Sequence, residues 1–400
     1  MKKEEWKEYE VSELIDEISM GPFGSNIKVE CFVDSGIPVL NGSNLVGSRL
    51  NEDSFNYVTE EKATSLGKAN AYRGDIVITH RGTLGQIVYI PQNSKYERYV
   101  ISQSQFRVRC NDKVLPEFLV YFFHSRLGQH KLLSNASQVG VPSLARPTST
   151  FQKLTIKVPS IATQKEIVKI LSALDDKIEL NNAINRNLEE QAQALFKNWF
   201  IDFAPFGGEM PKDWKNGKLS DIAEYEKEKI DIAKLNIETY YSTENMLSNK
   251  AGVSKATNLP AIEQTTRCFP GETIISNIRP YFKKIFYCTE EIAGCSTDVL
   301  CFKPKKESFS IYNYNLLYSN DFFDYMVKGS KGTKMPRGDK SQIMNYDVVV
   351  PTESVISDFN TVVSNILQQI SNNKRENECL TKLRDTLLPD LMSGELCLNT

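Results

Sequence analysis

Two stretches of the sequence present side chains that could bind a base edge or a phosphate. The stretch THRGTLG, residues 79–85, reads as a glycine-bounded turn between two apolar, β-rich runs. An arginine in such a turn can form paired hydrogen bonds with guanine or phosphate, and glycine lets the backbone approach closely. An ordinary hairpin turn with a surface arginine explains the same residues. The candidate contacts in this turn are Thr79, His80, Arg81 and Thr83.

The second stretch, KGSKGTKMPRGDKS at residues 328–341, is the strongest basic cluster of the chain. It mixes Gly, Ser, Thr and cations without an apolar period, which predicts a loop. Its cations suit contacts with phosphate, although a solvated loop is the alternative. SQVGVPSLARPTS at 137–149 holds the equivalent place earlier in the chain, and SNIRPYF at 276–282 is the counterpart of THRGTLG. The candidate contacts in these stretches are Ser143, Arg146, Asn277, Arg279, Tyr281, Lys331, Lys334, Arg337 and Lys340.

These residues belong to a duplicated module. WKEYEVSELIDEI from Trp6 matches WKNGKLSDIAEYE from Trp214, and LTIKVPSIATQKEIVKIL from Leu154 matches YDVVVPTESVISDFNTVV from Tyr346. In the second pair a strand, a proline and a helix follow one another. The sequence therefore predicts domain, helix, domain, helix in a mixed α/β (α+β) fold with pseudo-twofold symmetry. The predicted segments are a first domain at 1–160, a first helix at 161–206, a second domain at 207–352, and a second helix with the C-terminal tail at 353–400.

Both predicted helices have the residue spacing of a coiled coil. Over 171–199, and again 192 residues later, apolar positions recur at alternating steps of three and four. The ends of each seam are apolar, whereas asparagines occupy the centre. If the helices pack antiparallel, the centres meet, and a buried amide without a partner costs roughly 1 to 3 kcal/mol, so the amides would set the register. A hydrated centre that tolerates polar residues is the alternative. The asparagines are Asn181, Asn185, Asn373 and Asn377.

Composition and motifs narrow the function. The 400 residues are 40% hydrophobic, enough for two or three domains, and no apolar run is long enough for a membrane span or signal peptide, so we expect a cytoplasmic protein. The predicted domains are mildly basic, with net charges of +2 over 1–160 and over 211–352. The cysteines and histidines lack zinc spacing, and His124 and His130 fall six apart in one helical stretch, on different faces. No phosphate loop, glycine-rich cofactor loop or methyltransferase motif is present, so no catalytic or metal residue is predicted.

The order of these pieces resembles the specificity (S) subunit of type I restriction-modification enzymes, in which two target-recognition domains are separated by two long helices. The resemblance covers essentially the whole chain. The second domain departs from this family pattern, because it has no counterpart of GPFGSNIK. The supporting stretches are GPFGSNIK (21–28), GIPVLNGSNL (36–45), THRGTLG (79–85), VPSIATQKEIVKILSALDDKIELNN (158–182) and LLPDLMSGEL (387–396).

This resemblance implies a non-catalytic DNA-recognition subunit. Each domain would read one half of a bipartite, asymmetric double-stranded DNA target. The helices would set the spacing and dock two modification (methyltransferase) subunits, which recruit restriction (motor and nuclease) subunits where these exist. The cofactors S-adenosylmethionine, ATP and Mg²⁺ would belong to those partners and not to this chain. A two-headed protein-binding scaffold and a stand-alone DNA-modifying enzyme are the alternatives.

Overall fold

The structure, a computed structural model, describes residues 6–22, 26–137 and 140–396. The chain divides into two compact units: unit 1 is Met1–Leu180 with Glu376–Thr400, and unit 2 is Asn181–Arg375. Parts of two stretches singled out above, residues 23–25 of GPFGSNIK and 138–139 of SQVGVPSLARPTS, lie outside the described residues. Residues 1–5 and 397–400, at the ends of the predicted segments, lie outside them too.

Unit 1 is built on two four-stranded sheets. The strands are β1 (Lys7–Glu10), β2 (Ile15–Met20), β3 (Ile37–Val39), β4 (Asn56–Val58), β5 (Asn70–Tyr72), β6 (Ile76–Thr79), β7 (Ile87–Tyr89), β8 (Arg98–Val100), β9 (Gln105–Cys110), β10 (Ala136–Ser137), β11 (Ser143–Leu144) and β12 (Thr155–Val158). The sheet orders are β2-β9-β6-β7 and β4-β3-β8-β5. Every residue of β6 is buried, because this apolar strand lies between two others and under helices.

The helices of unit 1 are α1 (Glu60–Ser65), α2 (Pro116–His124), α3 (Arg126–Leu132) and α4 (Pro147–Gln152), followed by the long α5 (Ile161–Phe200). Helices α2, α3 and α4 pack on the first sheet, whereas α1 packs on the second. The prediction that His124 and His130 share one helical stretch is wrong. Ser125 has an extended backbone and its hydroxyl caps α3 by accepting from the N–H of Gly128 at 3.1 Å, which breaks the helix between the two histidines.

Unit 2 repeats this architecture. Its strands are β13 (Lys215–Lys218), β14 (Ala223–Tyr225), β15 (Lys229–Asp231), β16 (Tyr240–Tyr241), β17 (Gln264–Cys268), β18 (Thr273–Ser276), β19 (Ile285–Tyr287), β20 (Ala293–Cys295), β21 (Val299–Pro304) and β22 (Asp347–Val350). Its helices are α6 (Leu219–Ile222), α7 (Ser310–Tyr318), α8 (Asn320–Lys328) and α9 (Lys340–Met344). The long α10 (Glu353–Ser393) begins in unit 2 and ends in unit 1, as α5 begins in unit 1 and ends in unit 2. The order β14-β21-β18-β19 repeats that of the first sheet of unit 1. In the second sheet β16-β20-β17 repeats β3-β8-β5, but the fourth strand, β15, pairs with β17, whereas β4 of unit 1 pairs with β3. In each unit the first strand pairs with the last, as β1 with β12 and β13 with β22.

The two long helices pack together in opposite directions. In unit 1, Arg384 of α10 lies 2.9 Å from Asp175 of α5. In unit 2, the side-chain amide of Asn373 donates to Oδ1 of Asn185 at 2.8 Å. Residue numbers thus rise along one helix as they fall along the other, and the predicted fold class is confirmed. Among the described helices, none is both long and apolar enough to cross a lipid bilayer.

The buried face of α5 departs from the predicted heptad near its end. Phe196 and Phe200 are buried at 3% and 2% exposure, whereas the predicted seam residues Leu195 and Trp199 are only half-buried. A straight helix has 3.6 residues per turn, so its apolar stripe drifts away from a repeat of 3.5. Here the stripe turns towards the domain, where the ring of Phe200 packs on Tyr312 with centroids 4.8 Å apart.

Candidate nucleic-acid interface

In unit 1 the turn after β6 meets the loop that carries β11. The backbone N–H of Leu144 donates to the carbonyl of His80 at 2.8 Å, and that of Gly82 donates to Pro142 at 2.9 Å. Arg81 and Ser143 pair as an antiparallel bridge. Two stretches that the sequence predicted separately, with the bridged residues 62 positions apart, therefore form one surface.

The side chains of this surface divide into supporting and exposed groups. Thr79 is buried and its hydroxyl donates to Oε1 of Gln86 at 3.0 Å. His80 is half-buried, its Nε2 lies 3.1 Å from the carbonyl of Gln103, and burial beside the Arg81 guanidinium lowers the pKa of its imidazole. We infer that Thr79 and His80 hold the turn in place. The exposed candidates, which can reach a ligand, are Arg81, Thr83 and Arg146.

A third segment, for which the sequence predicted no role in the site, joins this surface. The side-chain amide of Gln86 donates to the carbonyl of Gly42 at 2.9 Å, which ties the turn to the segment 41–44. Asn41 and Asn44 order that segment by a reciprocal capping box. The signal in the sequence is two asparagines three residues apart directly after a short strand, a pattern that fixes a turn locally.

Unit 2 brings the equivalent segments together with different side chains. The backbone N–H of Arg279 donates to the carbonyl of Pro336 at 2.7 Å, and that of Gly338 donates to Asn277 at 3.2 Å. The third segment also recurs, because Lys284 Nζ donates to the carbonyl of Thr243 at 2.6 Å. The same three-part meeting of backbone segments is thus present in both units.

Carboxylates already pair with part of the predicted basic cluster. Lys331 lies 2.5 Å from Asp339, and Arg337 lies 3.0 Å from Asp298. Exposed pairs of this kind are weak and exchange readily with an incoming anion. Lys334 is exposed and, within residues 6–22, 26–137 and 140–396, has no carboxylate at ion-pair distance.

The remaining predicted residues of unit 2 differ in exposure. Asn277 is buried at 8% exposure and its backbone carbonyl accepts from the N–H of Gly338, so we infer a supporting role. Arg279 is half-buried and its Nη2 donates to the carbonyl of Lys334 at 3.3 Å. Lys340 is exposed, with its Nζ 5.8 Å from the centre of the Tyr225 ring. Tyr281 is 47% exposed, which makes it an accessible aromatic at this surface.

The predicted register residues lie on α5 and α10. Asn181, Asn185 and Asn373 are buried at 1%, 6% and 5% exposure, and Asn377 is half-buried. Gln369 also donates to Oδ1 of Asn373, at 2.8 Å. Their role in setting the register stays a prediction.

The described residues include no group of three or more His, Cys, Asp or Glu side chains arranged to hold a metal ion. The exposed groups at both surfaces are instead cations, hydroxyls and an aromatic ring. Such groups can bind phosphate, hydrogen-bond base edges and stack on bases.

Comparison with known proteins places the chain in a family. The family described as "Type I restriction modification DNA specificity domain" matches residues 3–190 and 211–382. The chain is 28% identical over 365 residues to the type I restriction enzyme MjaIX specificity subunit of Methanocaldococcus jannaschii, covering 85% of this chain and 81% of the relative. It is 24% identical over 405 residues to the type I restriction enzyme HindI specificity subunit of Haemophilus influenzae, covering 81% and 87%.

A solved structure shares the fold. The type I restriction-modification S subunit from M. genitalium superimposes with a TM-score of 0.58 at 16% identity, covering 98% of this chain and 97% of that one. The family matches the chain twice, once over each copy of the duplicated module, and together these matches span most of its length. This chain therefore belongs to the type I restriction-modification DNA specificity subunits, the non-catalytic components that give such enzyme complexes their DNA specificity.

Proposed function

We propose that each unit reads one half of a bipartite, asymmetric DNA target through the three-part surface described above. The observation that carries this proposal is the repeated backbone arrangement with different exposed side chains. In unit 1 the surface presents Arg81, Thr83 and Arg146, and in unit 2 it presents Tyr281, Lys334 and Lys340. One scaffold with two sets of side chains suits two different half-sites, because base contacts specify sequence while backbone contacts position the protein.

The long helices act as the spacer and as the docking site for the partner subunits. The helices of 40 and 41 residues are about 60 Å long at 1.5 Å per residue. Leu180 and Ile184 are 55% and 38% exposed and lie one turn apart, hence on one face of α5. That apolar face supports docking of the modification subunits. The modification subunits, and a restriction subunit where one exists, bind and use S-adenosylmethionine, ATP and Mg²⁺.

Co-expression with the cognate modification subunit tests the target. Genomic DNA from such cells, read by methylation-aware sequencing, is expected to carry adenine methylation at one bipartite motif with a single gap. Co-purification of the two chains shows that the complex has formed. Methylation at sites that share no motif would overturn the proposal, and so would the absence of methylation when the complex is intact.

Salt-dependent DNA binding tests the surface. Lys334→Gln combined with Lys340→Gln is expected to weaken binding to all sequences. It should also make the negative slope of log K against log salt shallower by about 2, because each phosphate contact that is lost means one counterion fewer released on binding. Lys212→Gln, which removes an exposed charge before β13, is the matched control and is expected to keep the slope. Equal slopes for all three proteins would remove this loop from the interface and favour a protein-binding scaffold.

A further inference from the structure

The turn at Pro280–Phe282 exposes two aromatic rings side by side. Tyr281 is 47% and Phe282 37% exposed, and their ring centroids lie 4.8 Å apart. Met335, between the two loop residues whose carbonyls Arg279 contacts, is 52% exposed. Single exposed apolar residues are ordinary, but adjacent ones beside exposed cations mark a binding surface.

Strained backbone holds this turn in place. Arg279 and Lys283 flank the turn with φ angles of 51° and 50°, and the neighbouring Asn249 and Lys250 have φ angles of 56° and 62°. The backbone N–H groups of Asn249 and Lys250 donate to the carbonyls of Phe282 and Lys283, at 2.7 and 2.9 Å. Among the described residues, six other than glycine have positive φ, and four of these six surround this turn. Such strain persists where the surrounding structure fixes it, and it concentrates at functional sites.

The counterpart in unit 1 lacks this feature. Its turn uses Gly82 and Gly85 at the positive φ angles of 92° and 87°, so the backbone bends without strain. Its one large apolar side chain, Leu84, is half-buried against the core of unit 1. The exposed aromatic pair is therefore specific to the second unit and was not needed to build the turn.

Building on the proposed function, we propose that Tyr281 and Phe282 form an aromatic wedge that stacks on bases at one step of the half-site read by unit 2 and opens the stacking there. Rings held by a rigid turn lose little conformational freedom on binding, which favours insertion. The energy needed to open a step depends on its sequence and is lowest for pyrimidine–purine steps. The wedge therefore selects TA or CA/TG at that position without hydrogen bonds to base edges.

The test uses the complete complex with its modification subunits and duplexes that carry the methylated motif. 2-Aminopurine replaces single bases in turn, except the methylated adenine, because methyltransferases extrude their target base themselves. Saturating complex is expected to raise the fluorescence at one step in one half-site only. Phe282→Ala is expected to abolish that rise and to weaken binding about tenfold, whereas Phe282→Leu, which keeps the bulk, has an intermediate effect.

Lys334→Gln is the matched control, because it removes a cation of the same surface without touching the wedge. It is expected to weaken binding and yet to keep the fluorescence rise at saturation. Specific binding without any rise, or a rise that survives Phe282→Ala, would overturn the wedge and leave the proposed function standing. Failure of the unaltered complex to bind its motif would overturn the proposed function itself.

Discussion

At one position of the duplicated module, the two units bury a carboxyl group in opposite electrostatic surroundings. Asp75 and Glu272 hold equivalent places, at the end of YRGD before β6 and of FPGE before β18. The carboxylate of Asp75 is 1% exposed and lies 2.8 Å from Nε of Arg109 and 3.4 Å from Nη1 of Arg107. Unit 1 thus neutralises its buried charge with two cations.

Below about pH 7, unit 2 keeps a proton on its buried carboxyl group instead. The thiol of Cys301 donates to Glu272 at 2.9 Å, and burial raises the pKa of Glu272 to about 7. Lys303 lies 3.2 Å from the neighbouring Glu226. Although burial opposes ionisation of Glu226, the backbone N–H groups of Lys227 and Glu228, at 2.6 and 2.7 Å, and Lys303 hold its pKa below the usual range. The negative charge of the pair therefore lies on Glu226.

The strand registers show which residues differ between the two units at equivalent positions. Val77 of β6 faces Arg107 of β9, and the equivalent Ile274 of β18 faces Cys301 of β21. The backbone pairing is the same while the buried polar partners differ. A duplicated scaffold can therefore change its internal charges, provided that a carboxyl group and its partners change together.

Loss of Asp75 is expected to give the largest effect on this comparison. Asp75→Ala removes the buried partner of Arg107, whose side chain is 5% exposed, and leaves it with the half-exposed Glu17 at 2.7 Å. Removing one member of a buried ion pair costs about 3 to 5 kcal/mol, and because Glu17 remains we expect a loss at the lower end, about 3 kcal/mol. Hydrogen exchange of peptides from β6 and β9 should show that loss of protection. Glu272→Gln at pH 5.5, which preserves a neutral group in unit 2, is the matched control, and an equal loss in both variants would contradict the contrast.

The pH dependence of unit 2 should be the next largest effect. Because Glu272 has a folded pKa of about 7, above its ordinary value of 4.5, the folded state holds the proton more tightly than the unfolded state. The contribution of this group to stability is therefore greatest below pH 4.5. It falls by roughly 2 to 3 kcal/mol as the pH rises to about 7, and then levels off. Hydrogen exchange of peptides from β18 and β21, corrected for intrinsic rates, measures it.

The Glu272→Gln variant isolates that contribution. Glutamine stays neutral at every pH, so the variant should lose the fall between pH 4.5 and 7 and be more stable than the unaltered protein above pH 7. Peptides from β6 and β9 of unit 1 should show no change in either protein. A fall that persists in the variant would assign the pH dependence to another group.

The helix pair offers a third, smaller contrast between the units. Asp175, 7% exposed, accepts from Arg384 and from the hydroxyls of Tyr121 and Ser48. Arg384→Ala should cost about 1 to 2 kcal/mol, because the two hydroxyls still stabilise the carboxylate. At the equivalent positions, 192 residues away, unit 2 has Leu367 and Ala192. Adding Asp175→Leu to Arg384→Ala should restore part of the lost free energy of unfolding, as measured by a urea titration. A larger loss in the double variant than in Arg384→Ala would show that the network acts as a unit.

The sequence predicted features that depend on local pattern. The heptad spacing predicted two long helices, and the strand–proline–helix signature predicted how each domain ends. The buried charges were not predictable, because Arg384 follows Asp175 by 209 residues and only the tertiary packing brings them together. For the same reason the residues of the two surfaces were found as separate stretches, and their meeting through backbone hydrogen bonds was not predicted.

The smallest expected change in stability comes from the central asparagines. Changing Asn181, Asn185, Asn373 and Asn377 together to leucine should alter the free energy of unfolding by less than about 1 kcal/mol, since removing both partners of a hydrogen bond leaves no amide unpaired. The apolar seam then has no reason to prefer one register over a shifted one. Methylation-aware sequencing should show more than one gap between the half-sites.

Asn187→Leu with Asn372→Leu, at exposed positions on the same helices, is the control and should keep a single gap. If the quadruple variant also keeps a single gap, the asparagines do not set the register. The ion pair of Asp175 with Arg384 then becomes the candidate, because a shift of either helix would separate the two charges, at a cost comparable with that of an unpaired amide. Combining the quadruple variant with Asp175→Leu and Arg384→Ala would decide between the two.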